Sequence, residues 1–125
     1  MILDTNGLSA LADGDAAIEP IVQRATIVAV PAIVLGEFHY GIRQSRHRVR
    51  YERWLAESMP GYRVLKVDDE TALHYADVRG ELKLAGRPIP SNDLWIAALA
   101  RQHALPLISR DRHFDSVPKL KRVDW

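Results

Sequence analysis

The chain has 125 residues, 47% of them hydrophobic, with 17 basic and 16 acidic side chains and a formal net charge of +1. That is enough chain for one domain with a real core. The hydrophobic fraction argues for a folded globular protein and against disorder, and the overall charge announces no nucleic-acid partner. Cysteine is absent, which excludes disulfides, thiolate metal ligands and cysteine nucleophiles and fits a reducing compartment.

Ile2 and Leu3 begin an apolar strand that reaches the polar trio Asp4-Thr5-Asn6. Leu8, Leu11 and Ala12 then recur at helical spacing until Gly14 interrupts. A second short helix is expected over residues 18–24, with Pro20 near its first turn, and a β-branched strand over 26–30. Pro31 suits the start of the next helix, where its missing N–H costs nothing; that helix runs to about Tyr40, where Gly41 weakens it. A basic helix is expected over 46–58, ended by Pro60-Gly61. Residues 63–67 read as a third strand. From Asp69 the pattern Ala72, Tyr75, Ala76, Arg79, Leu82 and Lys83 is helical until Gly86, Pro88 and Pro90 stop it. Ser91 or Asn92 can cap the following helix, whose Ile96, Ala97, Leu99 and Ala100 are apolar and closely spaced. A fourth strand over 105–109, a helical turn over 113–116 and an edge strand over 120–123 complete the chain.

Strand and helix thus alternate, and the strands are short apolar runs without period-two patterning. The expected fold is α/β, with a mostly parallel central sheet between helices. In such a sheet the right-handed crossovers bring the strand exits to one edge, where ligands bind. The opening MILDTN has no basic targeting region, and no run reaches the roughly 20 apolar residues of a membrane span, so a soluble, cytoplasmic protein is expected.

Four acids fall at the strand exits or in the helices that follow: Asp4, Glu37, Asp93 and Asp111. Each has an ordinary explanation. Asp4 and Asp111 can cap the turns after them, Asp93 can favour a helix N-terminus, and Glu37 can be a half-exposed helix glutamate. Glu37 is grouped by helical spacing with Ile33, Tyr40 and Gly41, which predicts a semi-buried face, and His39 and Tyr40 are read as packing residues. Taken together, converging carboxylates without a nearby lysine repel one another unless a cation or raised pKa values relieve them. Mg²⁺ is a hard ion that takes oxygen ligands and keeps several waters. Asn6, Asn92 and Ser109 are candidates for holding the carboxylates in orientation.

The basic residues are concentrated. Arg43, Arg46, Arg50 and Arg53 repeat at three- and four-residue spacing, expected to line one side of a helix, and Arg110, Arg112, Lys119, Lys121 and Arg122 form a second group. They are either a solvated surface or a contact for phosphates or an acidic partner. The five histidines lack zinc-ligand spacing, and neither a dinucleotide nor a P-loop motif is present.

With these residues in place the whole chain resembles a PIN-domain ribonuclease of the VapC-like kind. LDTN (residues 3–6) resembles the opening motif, in which Asp4 is the first metal-binding acid and Thr5 and Asn6 support it. Glu37 matches the second acid, Asp93 within NDLWIAALA the third, and in SRDRHF Ser109 stands for the usual Thr or Ser and Asp111 for a position that is often Asp or Asn. Gly7 departs from the pattern, standing where Val, Ile or Leu is usual.

The resemblance implies a single PIN domain over residues 1–125 with a three-layer α/β/α fold. It implies Mg²⁺- or Mn²⁺-dependent hydrolysis of RNA, with Asp4, Asp93, Asp111 and Glu37 at the metal, Glu37 ligating it or orienting the attacking water. It also implies a homodimer and a cognate antitoxin that blocks the acidic groove. Arg43, Arg46 and Arg50 are candidates for contact with RNA or antitoxin. The alternatives are a non-catalytic RNA- or partner-binding module of the same fold, and a phosphoacceptor receiver, which expects a paired acid beside the first strand where this chain has Asp4 alone.

Overall fold

The computed structural model describes all residues, 1–125. Five short strands form one sheet: β1 (Ile2–Leu3), β2 (Ala29–Pro31), β3 (Arg63–Leu65), β4 (Leu107–Ile108) and β5 (Arg122–Val123). Their order is β3-β2-β1-β4-β5, and every neighbouring pair is parallel. The helices α1 (Thr5–Ala12), α2 (Glu19–Gln23), α3 (Ala32–Arg43), α4 (Arg48–Ser58), α5 (Asp69–Leu84) and α6 (Ser91–His103) flank it in a three-layer α/β/α arrangement.

Strands of two or three residues offer few ladder bonds, so the sheet is held chiefly by what it buries. Ile2, Leu3, Ala29, Val30, Leu107 and Ile108 have no exposed surface, and full burial of a large aliphatic side chain is worth roughly 1.5–3 kcal/mol. The middle of α6 is enclosed on every side, from Ile96 to Ala100. Its alanines let neighbouring elements approach closely, while Arg101 pairs with Glu81 across to α5. The start of α5 is fixed by a reciprocal cap: Asp68 Oδ1 accepts from Thr71 N at 3.0 Å and Thr71 Oγ1 accepts from Asp68 N at 3.1 Å. No helix is long and apolar enough to cross a membrane.

The observed elements depart from expectation at their ends. The second strand is Ala29–Pro31, with Thr26, Ile27 and Val28 outside it, although the Ile27 carbonyl still accepts from the Met1 ammonium at 2.8 Å. The fourth strand loses residues 105 and 106 to the exit from α6. Ala104 adopts a left-handed conformation, and Leu105 N bonds back to Ala100 O. α3 continues through Gly41 to Arg43, because Phe38 and Ile42 bury the same side of it. α6 is preceded by Pro90 in an extended conformation without a side-chain cap, so neither Ser91 nor Asn92 caps it. The expected basic helix begins at Arg48, since Ser45 Oγ accepts from His47 N at 3.0 Å and breaks the chain between α3 and α4. Arg43 and Arg46 therefore do not share a helix with Arg50 and Arg53.

Candidate metal centre

Asp4 leaves the central strand β1 beside the exit of β4, and its amide approaches Ile108 O at 3.4 Å. Its backbone is extended and its Oδ1 accepts from Gly7 N at 2.8 Å, so it caps α1. The residue is only 5% exposed, and a carboxylate is costly there without a counter-charge. Burial pushes its pKa up; hydrogen bonds from Ser109 and Gly7 pull it down, and the neighbouring Asp93 and Asp111 push it up again. Ser109, which follows β4 and has no exposed surface, thus faces Asp4 and also accepts from Asp111 N at 3.0 Å.

Asp93 lies in the first turn of α6 and is half-buried. Burial raises its pKa, His113 opposes that, and Asp111 adds to it. Asp111 precedes a 3₁₀ turn, Arg112–Ser116, and its Oδ1 accepts from His113 N at 3.2 Å. The His113 ring lies between the two carboxylates, with Nε2 2.7 Å from Asp93 Oδ2 and Nδ1 2.8 Å from Asp111 Oδ1. The Nε2 atom is nevertheless buried without a directed hydrogen bond, so the 2.7 Å approach is a close polar contact off the N–H axis.

Potential ligand atoms of Asp93, Asp111 and His113 all lie within 4.8 Å of one another. Two carboxylates and an imidazole with an orphaned nitrogen fit a divalent first-row ion such as Mn²⁺, while the carboxylates alone suit Mg²⁺. The sequence reading missed His113. Its signal was local, a histidine two residues after an acid at a strand exit, whereas zinc-type spacing between histidines was the pattern sought.

Glu37 is exposed, correcting the semi-buried expectation. The face of α3 that packs inward carries Val34, Phe38 and Ile42, and Tyr40 is 70% exposed and packs against little. Glu37 lies outside the Asp93–Asp111–His113 group. Thr5 Oγ1 donates to its Oε1 at 3.2 Å, and both residues line a groove of about 320 Å³ that continues past Ser9 to Asp13 and Tyr51. There the Tyr51 hydroxyl donates to Asp13 Oδ1 at 2.5 Å, tying α4 to the end of α1. Asn6 and Asn92 are exposed and make no hydrogen bond to the acids, so of the expected supporting residues only Thr5 and Ser109 reach a carboxylate. A larger cleft of about 540 Å³ between α5 and α6, walled by Tyr75, Arg79 and Lys83, contains none of the four acids.

Arg43, Arg46 and Arg50 are all exposed, in α3, the connecting turn and α4 respectively. Arg48 is engaged by Glu52 at 2.7 Å, and the Arg50 guanidinium stands 5.0 Å from the centre of the Tyr51 ring.

The family model described as the PIN domain matches residues 1–120. Ribonuclease VapC5 of Mycobacterium tuberculosis is 34% identical over 125 residues, 98% of this chain and 91% of that protein. Among solved structures, DNA-bound VapBC from Salmonella typhimurium superposes with a TM-score of 0.86 at 26% identity, covering 99% of this chain and 96% of that one. VapBC-5 from Mycobacterium tuberculosis, described as a member of the VapBC family of toxin-antitoxin systems, gives 0.74 at 25% identity over 99% of this chain and 97% of that one.

Proposed function

The chain belongs to the PIN-domain family and is VapC-like within it, and on that premise we propose that it is a metal-dependent endoribonuclease, the toxin of a toxin–antitoxin pair. The observation that carries the reading is the convergence of Asp4, Asp93 and Asp111 at one end of a parallel sheet, with His113 between two of them. Family membership supports a nuclease role; metal dependence and the assignment of residues are our inference.

Asp93 and Asp111, with His113, would hold the ion, and Asp4 completes the negative wall opposite them. A divalent ion bound there lowers the pKa of a bound water and offsets charge on the phosphoryl oxygens. Ser109 and the Gly7 amide keep the Asp4 carboxylate from turning away. Glu37, oriented by Thr5, either joins the metal or takes the proton of the attacking water; its exposed position suits the second role. Water adds to the scissile phosphorus, one P–O ester bond breaks, and the leaving ribose oxygen takes up a proton. Arg43, Arg46 and Arg50 would hold the RNA backbone or a cognate antitoxin, and a second copy would cover α5, where Leu73 is 69% and Leu84 93% exposed. Such a toxin acts in the cytoplasm, where its RNA is.

The test is cleavage of total cellular RNA by the purified protein with Mg²⁺ or Mn²⁺, against EDTA and Asp4→Asn controls, with fragment ends mapped. Metal-dependent cuts at defined positions, missing in Asp4→Asn, are expected. A folded, antitoxin-free protein that binds RNA equally well in EDTA and cuts none of it would instead be a binding module.

A further inference from the structure

We propose that Arg122 is a positioning residue for the metal centre, clamping both ends of the segment that carries Asp111 and His113. The inference rests on the reading of Asp93, Asp111 and His113 as the metal-holding set. Arg122 lies on the edge strand β5, yet its side chain is only 12% exposed. Its Nη1 donates to the Ser109 carbonyl at 2.9 Å, at the start of the segment. Its Nε and Nη2 donate to the two carboxylate oxygens of Asp115 at 2.7 and 3.1 Å, at the far end. Asp124 Oδ2, 3.3 Å from the same Nη1, adds a second carboxylate beside the guanidinium.

Between these anchors the segment is held to the core by the buried Phe114 ring, and locally by the bond from His113 N to Asp111 Oδ1. Its backbone is a short 3₁₀ helix, Arg112–Ser116, entered by Phe114 N to Asp111 O at 3.4 Å and left by Val117 N to Phe114 O at 3.1 Å, a geometry weaker than that of an α-helix. Arg110 adds a tether, its guanidinium 4.6 Å from the centre of the Trp125 ring and its Nε donating to Trp125 O at 3.2 Å. Asp115 is 53% exposed, so as an ion pair alone its contact with Arg122 would stabilise little. What the planar fork supplies is geometry: three donors in fixed directions, which a lysine cannot reproduce. Ligand sets work only when held to within about 0.5 Å.

The test is Mn²⁺ binding, by calorimetry and by the electron paramagnetic resonance of the bound ion, on wild type, Arg122→Met, Arg122→Lys and Asp115→Asn. Arg101→Met, which breaks the Arg101–Glu81 pair away from the site, is the control. Loss of such outer support typically weakens metal binding about 10- to 100-fold. That loss is expected for Arg122→Met, with Arg122→Lys and Asp115→Asn falling between it and wild type and Arg101→Met unchanged. Asp115→Asn keeps the test open if Arg122→Met fails to fold. Wild-type affinity in Arg122→Met and Asp115→Asn would overturn the clamp alone, as would an equal loss in Arg101→Met. Absence of Mn²⁺ binding by the wild type would overturn the metal reading together with the clamp.

Discussion

Gly7→Ala tests how tightly the first acid is seated. Gly7 lies in the first turn of α1 and is buried, and a Cβ there would meet Asp4 Oδ1 at 3.3 Å, Leu3 Cδ2 at 3.4 Å and the Ile108 carbonyl at 3.5 Å. Replacing glycine by alanine within a helix is worth about 0.5–1 kcal/mol. Against this stands one close contact with a flexible leucine end and one with a carboxylate oxygen already held at 2.8 Å by the Gly7 amide. A displacement of a few tenths of an ångström relieves both, at a cost of roughly 0.5 kcal/mol, below the usual range for overpacking by a methylene. The expected net is a gain between about 0 and 0.5 kcal/mol, or at most about 2 °C in Tm. The Asp4 carboxylate moves in exchange, and Mn²⁺ affinity should fall by about 3- to 10-fold, less than the roughly 10- to 100-fold typical when the support of a ligand is lost outright. Thermal melts in EDTA and Mn²⁺ titrations measure the two effects separately. Destabilisation beyond about 1 kcal/mol, or unchanged Mn²⁺ affinity, would refute the reasoning.

Asp4→Asn should lower RNA cleavage by at least about 100-fold, a typical loss when a preorganised electrostatic group is removed, while urea denaturation in EDTA finds the fold as stable as wild type or more so, since asparagine caps as well as aspartate. The pH dependence follows from the raised pKa values of Asp4 and Asp93, caused first by burial. A carboxyl with a raised folded pKa contributes stability that is complete below its unfolded value, about 4, and is lost as pH rises through the folded value. In EDTA the Tm advantage of Asp4→Asn over wild type should therefore widen from about pH 4 towards neutrality, and a gap that narrows would contradict it. Asp68 has the opposite sign, its pKa being lowered by the hydrogen bonds from Thr71. The Tm deficit of Asp68→Ala should shrink as pH falls through that lowered value. Replacing Arg43, Arg46 and Arg50 together by alanine should flatten the salt dependence of RNA binding by up to about 2–3 in log–log slope; an unchanged slope would remove those residues from the RNA path.

The order of elements was legible because each apolar run is bounded by polar or breaking residues. Their ends were not, because competing bonds decide them: the left-handed Ala104 shortens β4, and the Ser45 hydroxyl separates α3 from α4. The acids stood out from their places in the chain, but position along a helix did not reveal that Phe38, and not Glu37, faces inward. His113 was hidden for a related reason. Its contact with Asp93 spans the gap between α6 and the turn after β4, and no periodicity records such a meeting. Arg122 looked like one more member of a basic group until its burial and its three partners were seen.

The centre draws Asp4 from one end of the 125 residues and Asp111 and His113 from the other. On the ribosome, Asp4 emerges about a hundred residues before the segment it meets, and β4 cannot take its place beside β1, nor the 3₁₀ turn close over Asp93, until residues 107–116 have been made. For the ribonuclease we propose, this order of assembly has a value of its own. A nascent toxin of that kind, still tethered to its message, would have no complete blade with which to cut it.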